Sequence, residues 1–449
     1  MFDSINLPIL FEHERSTNKE FYLAYDKSSM ASKCDALDQL VDRYFDECHL
    51  SDLIKAKTPK KIITATNRIK RILRSLLWNC YRAARAHDDC FLKISLADIS
   101  YRKSAPDNPY GITLEIRKVI SALVVGGYLE RHIGFFGRQT KKGKETRIRP
   151  TLPMLQDLKA LPDDISEIYV EPEPVSIRRG YVYTLDDASQ QHLEGAKETI
   201  TAYNEFIRSH DITHPCARDG VLTYQDRNGE LRLVNITRKS VQAIYHAEGG
   251  GILTYGRIHG GMCQAIPARY RKFILIDDEP TVELDYSSQI LHIVAGLEGI
   301  QLTGDPYAIP LPFTDYDAEF TREIVKHAIV VMLNTSKLRA MNGAVTGKFR
   351  YDPRAENCPI RPKLIREAIF AHHPFLKKYA MKGMGKQLFM YDAGIARKIT
   401  QTFLDANKVV LPIHDGFIVK VSDKDLLYQT MKSIWYERFH TTIPVKVEK

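Results

Sequence analysis

The sequence predicts an α+β chain of two domains: a basic module of helices with a β-ribbon, then a set of short strands flanked by helices. Three observations predict it. Apolar residues recur at helical spacing through the first 125 residues, an acidic, proline-containing stretch interrupts the chain near residue 170, and alternating β-type runs beyond it end in aspartates. The composition fits. Of 449 residues, 44% are hydrophobic and 27% charged, with a mean hydropathy of −0.28. Such a chain can bury a sizeable core and is neither disordered nor fibrous. No apolar run approaches the roughly 18 residues of a membrane helix, so no membrane partner is expected. The first residues, MFDSINLPILFEHERS, lack a basic segment followed by an apolar one. No signal peptide is expected, and the expected compartment is the cytoplasm. Seven scattered cysteines without a CxxC support neither a disulfide framework nor a zinc ribbon.

The first domain is expected over residues 1–160. Leu37, Leu40, Val41, Tyr44 and Phe45 form one helix stripe. Ile69, Ile72, Leu73, Leu76, Leu77 and Cys80 form a second, with Lys70, Arg71 and Arg74 interleaved. Phe91 to Ser95 reads as a strand and Leu96 to Ser100 as a short helix. Ile116, Val119, Ile120 and Leu123 form a third stripe that should stop at Gly126-Gly127. Tyr128 to Phe136 and Glu145 to Arg149 read as strands joined by the basic loop GRQTKKGK. Residues 51–150 hold 22 Lys/Arg against 8 Asp/Glu, a net +14, whereas the whole chain nets +9. One block carries all of the positive excess, which suits a polyanion such as nucleic acid. A well-solvated basic surface is the competing explanation.

Helix, strand, helix, helix, two-stranded ribbon is the order of a winged helix-turn-helix, and about 90 residues resemble that family. The resemblance implies that Glu115, Arg117, Lys118 and Ser121 face outward on a recognition helix. It implies that Arg138, Lys141, Lys142 and Lys144 line the wing and meet phosphates. A winged helix that docks a protein is the alternative.

A linker is expected over 161–180. Its core, LPDDISEIYVEPEPV, holds five acids, no base and three prolines, and should be extended and exposed. The second domain is expected over 181–449. It opens with a polar helix from Asp186 to about Ser209. A hairpin follows, with Asn228-Gly229 between Leu222–Tyr224 and Leu231–Val234.

Four segments then carry candidate chemistry. Thr281 to Tyr286 alternates as a strand and delivers Asp285 to the start of a helix from Ile290 to Leu297. A carboxylate so placed can hold a metal, though many sheets end in Asp. Val409 to Lys420 reads as strand, turn, strand, with Asp415-Gly416 as the turn; an Asp at a hairpin tip is also ordinary turn chemistry. Arg322 and Lys326 share a helix face at i, i+4 and can grip a polyphosphate; an ordinary solvated basic face is the competing explanation. The segment TYGRIHGGMCQAIP, from Thr254 to Pro267, offers Arg257 and Gln264 as donors beside glycines that permit close approach.

In this order the motifs GR…Q-x-IP, DYS, R-x-x-x-K and HD resemble those of family-A DNA polymerases, and the last three resemble single-subunit phage-type RNA polymerases. The resemblance covers roughly residues 180–449, about 60% of the chain. It implies a compact right hand: an antiparallel palm, reduced helical fingers and a thumb-like helix. It implies that Asp285 and Asp415 hold two Mg²⁺, with Mn²⁺ as a substitute, and that the carbonyl of Tyr286 helps bind one. Arg322 and Lys326 then hold a nucleoside triphosphate, His414 lies near a primer terminus, and Arg257 and Gln264 track the template–primer duplex. Departures stand beside the matches. Gly416 follows Asp415 where DNA polymerases carry Glu. Ile290 stands where a ribose-excluding Glu falls, and Asn334 where a Tyr falls, so both belong to the expected nucleotide site. Only 130 residues separate Asp285 from Asp415, which is why the fingers should be reduced. One long helix, Gly385 to Asn407, should turn Leu388, Tyr391, Ile395, Ile399 and Phe403 inward. Glu283 shares the strand face of Asp285 and is a candidate third ligand against an exposed strand carboxylate; His292 is expected to pack.

The function this implies is a template-directed nucleotidyltransferase, DNA-polymerase-like or RNA-polymerising, with a winged-helix module that binds nucleic acid. Phage, plasmid or integrated-element replication is a setting such modules fit. The alternatives are a DNA-binding replication initiator or regulator with an idle palm, and a metal-dependent nuclease. The nuclease has no need of the Arg322/Lys326 pair.

Overall fold

The computed structural model describes residues 21–86, 90–96, 101, 108, 110–137, 142–178, 184–218, 220–225, 231–247, 252–356 and 358–448. It is a mixed helix-and-strand chain with several small sheets. Two compact units emerge: Met1–Pro172 with Cys216–Asn235, and Glu173–Pro215 with Ile236–Lys449.

In the first unit the three apolar stripes form α1 (Asp35–Glu47), α2 (Pro59–Ala86) and α3 (Ile116–Val125), and every residue of the three stripes is buried in one core. Gly126 caps α3, Gly127 turns back at φ 79°, and Tyr128 N donates to Leu123 O at 2.9 Å. Glycine supplies that left-handed step without a Cβ penalty. Strands β1 (Cys90–Ile94), β2 (Leu129–His132) and β3 (Thr146–Pro150) form an antiparallel sheet in the order β1-β3-β2, with Phe21–Ala24 parallel to β1 at its edge. The strand expected over 128–136 is broken: Phe135–Gly137 pairs with Lys142–Lys144 as a separate ribbon. The short helix read over 96–100 lies almost wholly outside the described residues, as do Arg138, Lys141 and the Asn228-Gly229 turn.

Several readings of this half are corrected. Glu115 does not face outward. It stands at the N-cap of α3, and Arg68 grips its carboxylate at two points, Nη2···Oε1 at 2.8 Å and Nε···Oε2 at 2.5 Å. The acidic stretch is not free chain either: Glu167–Tyr169 pairs with Ser29–Ala31, Val175–Arg178 pairs with Val241–Ala247, and Leu161 is buried. Strand pairing satisfies backbone groups that an exposed linker would leave to water. The strands Val221–Gln225 and Leu231–Asn235 pair antiparallel, as the hairpin reading expects, but they belong to the first unit. Part of the basic charge is spent internally, since Lys70 and Arg74 meet Asp42 and Asp38 of α1.

In the second unit α4 (Asp187–Arg208) starts at Asp186, whose side chain accepts from Ser189 N at 2.7 Å, as an N-cap does. Strand β4 (Leu253–Gly260) pairs with Val241–Ala247. The larger sheet carries the candidate site. Its strands include β5 (Glu279–Tyr286), β6 (Leu411–Ile413), β7 (Gly416–Lys420) and β8 (Val445–Val447); β7 lies between β5 and β6, and β8 pairs with the end of β5. Helix α5 (Gln289–Leu297) leaves β5, and α6 (Ala318–Asn334), α7 (Gly385–Asp405) and α8 (Lys424–Phe439) follow. On α7, Leu388, Ile395, Ile399 and Phe403 are buried, Tyr391 is half-buried, and Asp392 is buried among them. No helix of the described residues is long and apolar enough to cross a membrane.

Candidate active site

Antiparallel pairing of β5 with β7 sets Asp285 opposite Gly416 and Leu284 opposite Phe417. The turn between β6 and β7 is His414-Asp415, not Asp415-Gly416, because Ile413 pairs with Gly416. His414 takes φ 54°, a left-handed conformation that costs of order 1 kcal/mol for a non-glycine residue. Tyr286 N donates to Asp415 O at 3.3 Å and ties the turn to β5. A Cβ at Gly416 would stand 3.3 Å from Leu284 O and 3.4 Å from Asp285 Oδ1. A side chain there would crowd the carboxylate.

The two carboxylates come within electrostatic reach of each other. Burial, and then the charge of Asp415, push the Asp285 carboxyl up to about 7, with Lys446 opposing and Glu448 adding to the rise. Lys446 stands opposite Asp285 on β8, its Nζ 3.4 Å from Asp285 Oδ2 and 2.5 Å from Glu448 Oε1. Among the described residues, no group of three or more His, Cys, Asp or Glu side chains is set to hold a metal ion. Two aspartates fit a cation that takes one or two carboxylates and leaves the rest of its shell to carbonyls, substrate phosphate and water, which is the habit of Mg²⁺. Glu283 is not available to it. Arg271 holds that carboxylate at two points, Nε···Oε2 at 2.8 Å and Nη2···Oε1 at 2.6 Å.

On α6, Arg322 and Lys326 both face the ring of Tyr307, at 5.5 and 6.0 Å from its centre. Arg322 is also hydrogen-bonded to Asp305. Tyr307 is buried, Ser288 hydrogen-bonds its hydroxyl, and the charge of Asp415 reaches it. The ring of Tyr307 thus meets both α6 cations and lies within electrostatic reach of Asp415. Asn334 is exposed; its Nδ2 donates to Val330 O at 2.8 Å, and a Cβ on Gly385 would collide with its Oδ1. Ile290 is half-buried in the first turn of α5, between buried Gln289 and Leu291. The Tyr286 ring is committed to the core, its hydroxyl donating to Met431 O at 2.7 Å. His292 packs against Trp435, ring centres 6.3 Å apart.

Arg257 and Gln264 are held by the protein rather than open along a groove. Arg257 Nε donates to Asp392 Oδ2, and its guanidinium lies 4.3 Å over the Phe389 ring. Asp392 is 2% exposed, and burial pushes its carboxyl up to about 6 against the pull of Arg257. Gln264 Nε2 donates to Ile258 O at 3.2 Å and Pro412 O at 3.0 Å, tying β4 to β6. The His414 ring meets His259 at 5.8 Å. Burial and then Arg257 lower His414, while burial, His414 and nearby arginines hold His259 at about 4. In the first unit Arg117 and Lys118 are exposed on α3, although Arg117 donates to Leu96 O. Lys142 and Lys144 lie on the ribbon.

Asp392, Tyr307, His259 and Lys446 escaped the sequence reading. Asp392 alone had a local signal, an acid at helical spacing between Leu388 and Ile395.

No protein-family model and no curated protein matches the chain. Among solved structures it is similar to the polymerase domain of Pol1 from M. smegmatis, in a complex with DNA primer-template and dNTP. The two are 13% identical, the match covers 94% of this chain and 66% of that one, and the TM-score is 0.26. A likeness that loose carries no argument, so the site stands on its own geometry.

Proposed function

We propose that the chain is a template-directed nucleotidyltransferase that adds nucleotides to a nucleic-acid strand. One observation carries the proposal: the β5–β7 register brings Asp285 and Asp415 within electrostatic reach of each other, with the Asp285 carboxyl raised by burial and by its neighbour. Asp285, Asp415 and the Tyr286 carbonyl would hold two Mg²⁺, or Mn²⁺, which when bound stabilise an attacking oxygen and a leaving pyrophosphate. Arg322 and Lys326 take the triphosphate, and their charge offsets what develops on it. Tyr307 forms the apolar floor beneath them. His414, kept neutral, adds no cation beside Asp415.

The order β1-β3-β2, with α3 between β1 and β2, supports a winged-helix reading of the first unit. Lys118 on α3 and the ribbon lysines would then meet template phosphates.

Primer extension with labelled dNTPs and rNTPs, with and without template and with Mg²⁺ or Mn²⁺, tests the proposal. Asp285→Ala or Asp415→Ala should lower incorporation by about a thousandfold or more; an Asp415→Ala chain with wild-type incorporation would refute it. With Ile290 and Asn334 in place of a polar gate, both sugars should be used within about a hundredfold of each other, and Ile290→Glu should reduce ribonucleotide use more. Rejection of one sugar by four orders of magnitude, about 10⁴-fold, would mean another group senses it. One observation favours a non-catalytic DNA-binding initiator or regulator instead: Lys446 already supplies a cation to Asp285. Absence of incorporation under every condition, with DNA binding intact, would establish that reading.

A further inference from the structure

Helix α7 has a second working face. One side turns Asp392 toward Arg257. Another side, with Tyr391, Gly394 and Arg397, lines a cavity of about 620 Å³ that His192 of α4, the start of β4 and Arg438 of α8 complete. None of Asp285, Asp415, Arg322 and Lys326 lines it.

Charge in this cavity is one-sided. Arg397 Nη1 reaches His192 Nε2 at 3.3 Å, and His192 O and Tyr245 Oη at 3.5 Å, all neutral partners at the long edge of hydrogen bonding. Burial and the Arg397 charge hold His192 below its ordinary value, so it stays an acceptor. Arg438 lies 5.1 Å over the Tyr391 ring. Among the described residues neither guanidinium has a carboxylate partner, and the one acid in the lining, Glu437, is held by Lys398. Two guanidiniums from two helices therefore line a shared space, and neither is paired with a carboxylate among the described residues.

Gly394 keeps this face of α7 open. It lies inside α7, where glycine is a poor helix former, yet a Cβ there would meet nothing within 4 Å. No packing demands the glycine, and it leaves bare backbone as one wall. Met390, Ile395, Ile434 and the Tyr391 ring give the same space apolar walls.

We propose that this cavity binds a phosphate-bearing ligand of nucleotide size, with the phosphate between Arg397 and Arg438 and the planar body against the apolar wall. The guanidinium fork matches phosphate oxygens in pairs, and the volume lies within the ordinary range of ligand sites. The phosphate comes either from a free nucleotide or from the end of a nucleic-acid strand.

The test titrates the full-length chain in the absence of divalent metal, with ATP and separately with a 5′-phosphorylated oligothymidylate. The chain carries Arg322→Ala and Lys326→Ala, which silences the proposed triphosphate grip and makes the ATP result independent of the polymerase proposal. One equivalent of at least one probe should bind. ATP alone identifies a free nucleotide, and oligonucleotide binding that Arg438→Met weakens, without ATP binding, identifies a strand end. Gly394→Leu fills the space and should weaken binding at least tenfold, and Arg438→Met, at an exposed position, should do so with the thermal midpoint unchanged. Failure of both probes to bind, or undiminished binding in Arg438→Met, would overturn the proposal.

Discussion

Glu283 and Asp285 stand two residues apart on one face of β5, and their surroundings differ in kind. Glu283 meets Arg271 in a two-point contact with both side chains largely buried. Asp392 is also given an arginine, Arg257, but through the single Nε–H to Oδ2 contact. Asp285 instead meets a second carboxylate, and its nearest cation is Lys446, half-exposed at the end of a flexible stem. A bidentate guanidinium is the strong, pre-organised partner for a carboxylate; a lysine ammonium at 3.4 Å is a loose one. The fold has arginines to give and gives them to Glu283 and Asp392. The aspartate pair is left with repulsion that does nothing for stability, which the proposed cation would relieve.

The largest effect should come from breaking the settled side. Arg257→Met leaves Asp392 buried without its partner and should cost about 3–5 kcal/mol by urea unfolding near pH 8. Burial already raises Asp392 to about 6, so the carboxyl can take a proton, and the loss should shrink near pH 5. An equal loss at both pH values would show that the ion pair is not what Arg257 supplies.

Next comes the open side, with the opposite sign. The folded pKa of Asp285, about 7, lies above the ordinary unfolded value near 3.9. The folded chain then holds a proton that the unfolded chain has released. Stability from this group is fully present below about pH 4 and is lost as pH rises through about 7. Asp285→Asn should therefore stabilise the protein by about 2–4 kcal/mol near pH 8 and by almost nothing near pH 4. Destabilisation near pH 8 would contradict the repulsion. Glu283→Gln should do the reverse on a smaller scale, losing about 1–2 kcal/mol because Arg271 is left half-satisfied; a gain in stability would erase the contrast between the two positions.

The smallest effect concerns the first unit. Lys118→Ala should reduce the slope of log binding constant against log salt by about one for duplex DNA. An unchanged slope would place the nucleic-acid contact elsewhere.

Much of this was legible in the sequence because local rules decided it. The three stripes of the first unit, the N-cap at Asp186 and the glycine stop of α3 follow from spacing and backbone freedom. So did the positions of Asp285 and Asp415 at strand ends. What was not legible depended on partners distant in sequence. The His414-Asp415 turn is fixed by pairing with β5, not by the Asp-Gly pattern. Glu115 turned inward because Arg68, 47 residues earlier, meets it. Arg257 and Gln264 looked free for a duplex until Asp392 and Pro412, 135 and 148 residues on, claimed their donors. Lys446 became a neighbour of Asp285 only through strand β8.

If the Asp285–Asp415 pair is held for a divalent cation, Mn²⁺ should stabilise the folded chain through it. The measurement is the thermal unfolding midpoint near pH 8 with and without Mn²⁺, in wild type, Asp285→Asn and Glu283→Gln. An ion at about a hundred times its dissociation constant adds about 2.7 kcal/mol. The midpoint should rise in wild type and in Glu283→Gln, and stay unmoved in Asp285→Asn. An equal rise in Asp285→Asn, or none in wild type, would contradict the assignment of these two aspartates.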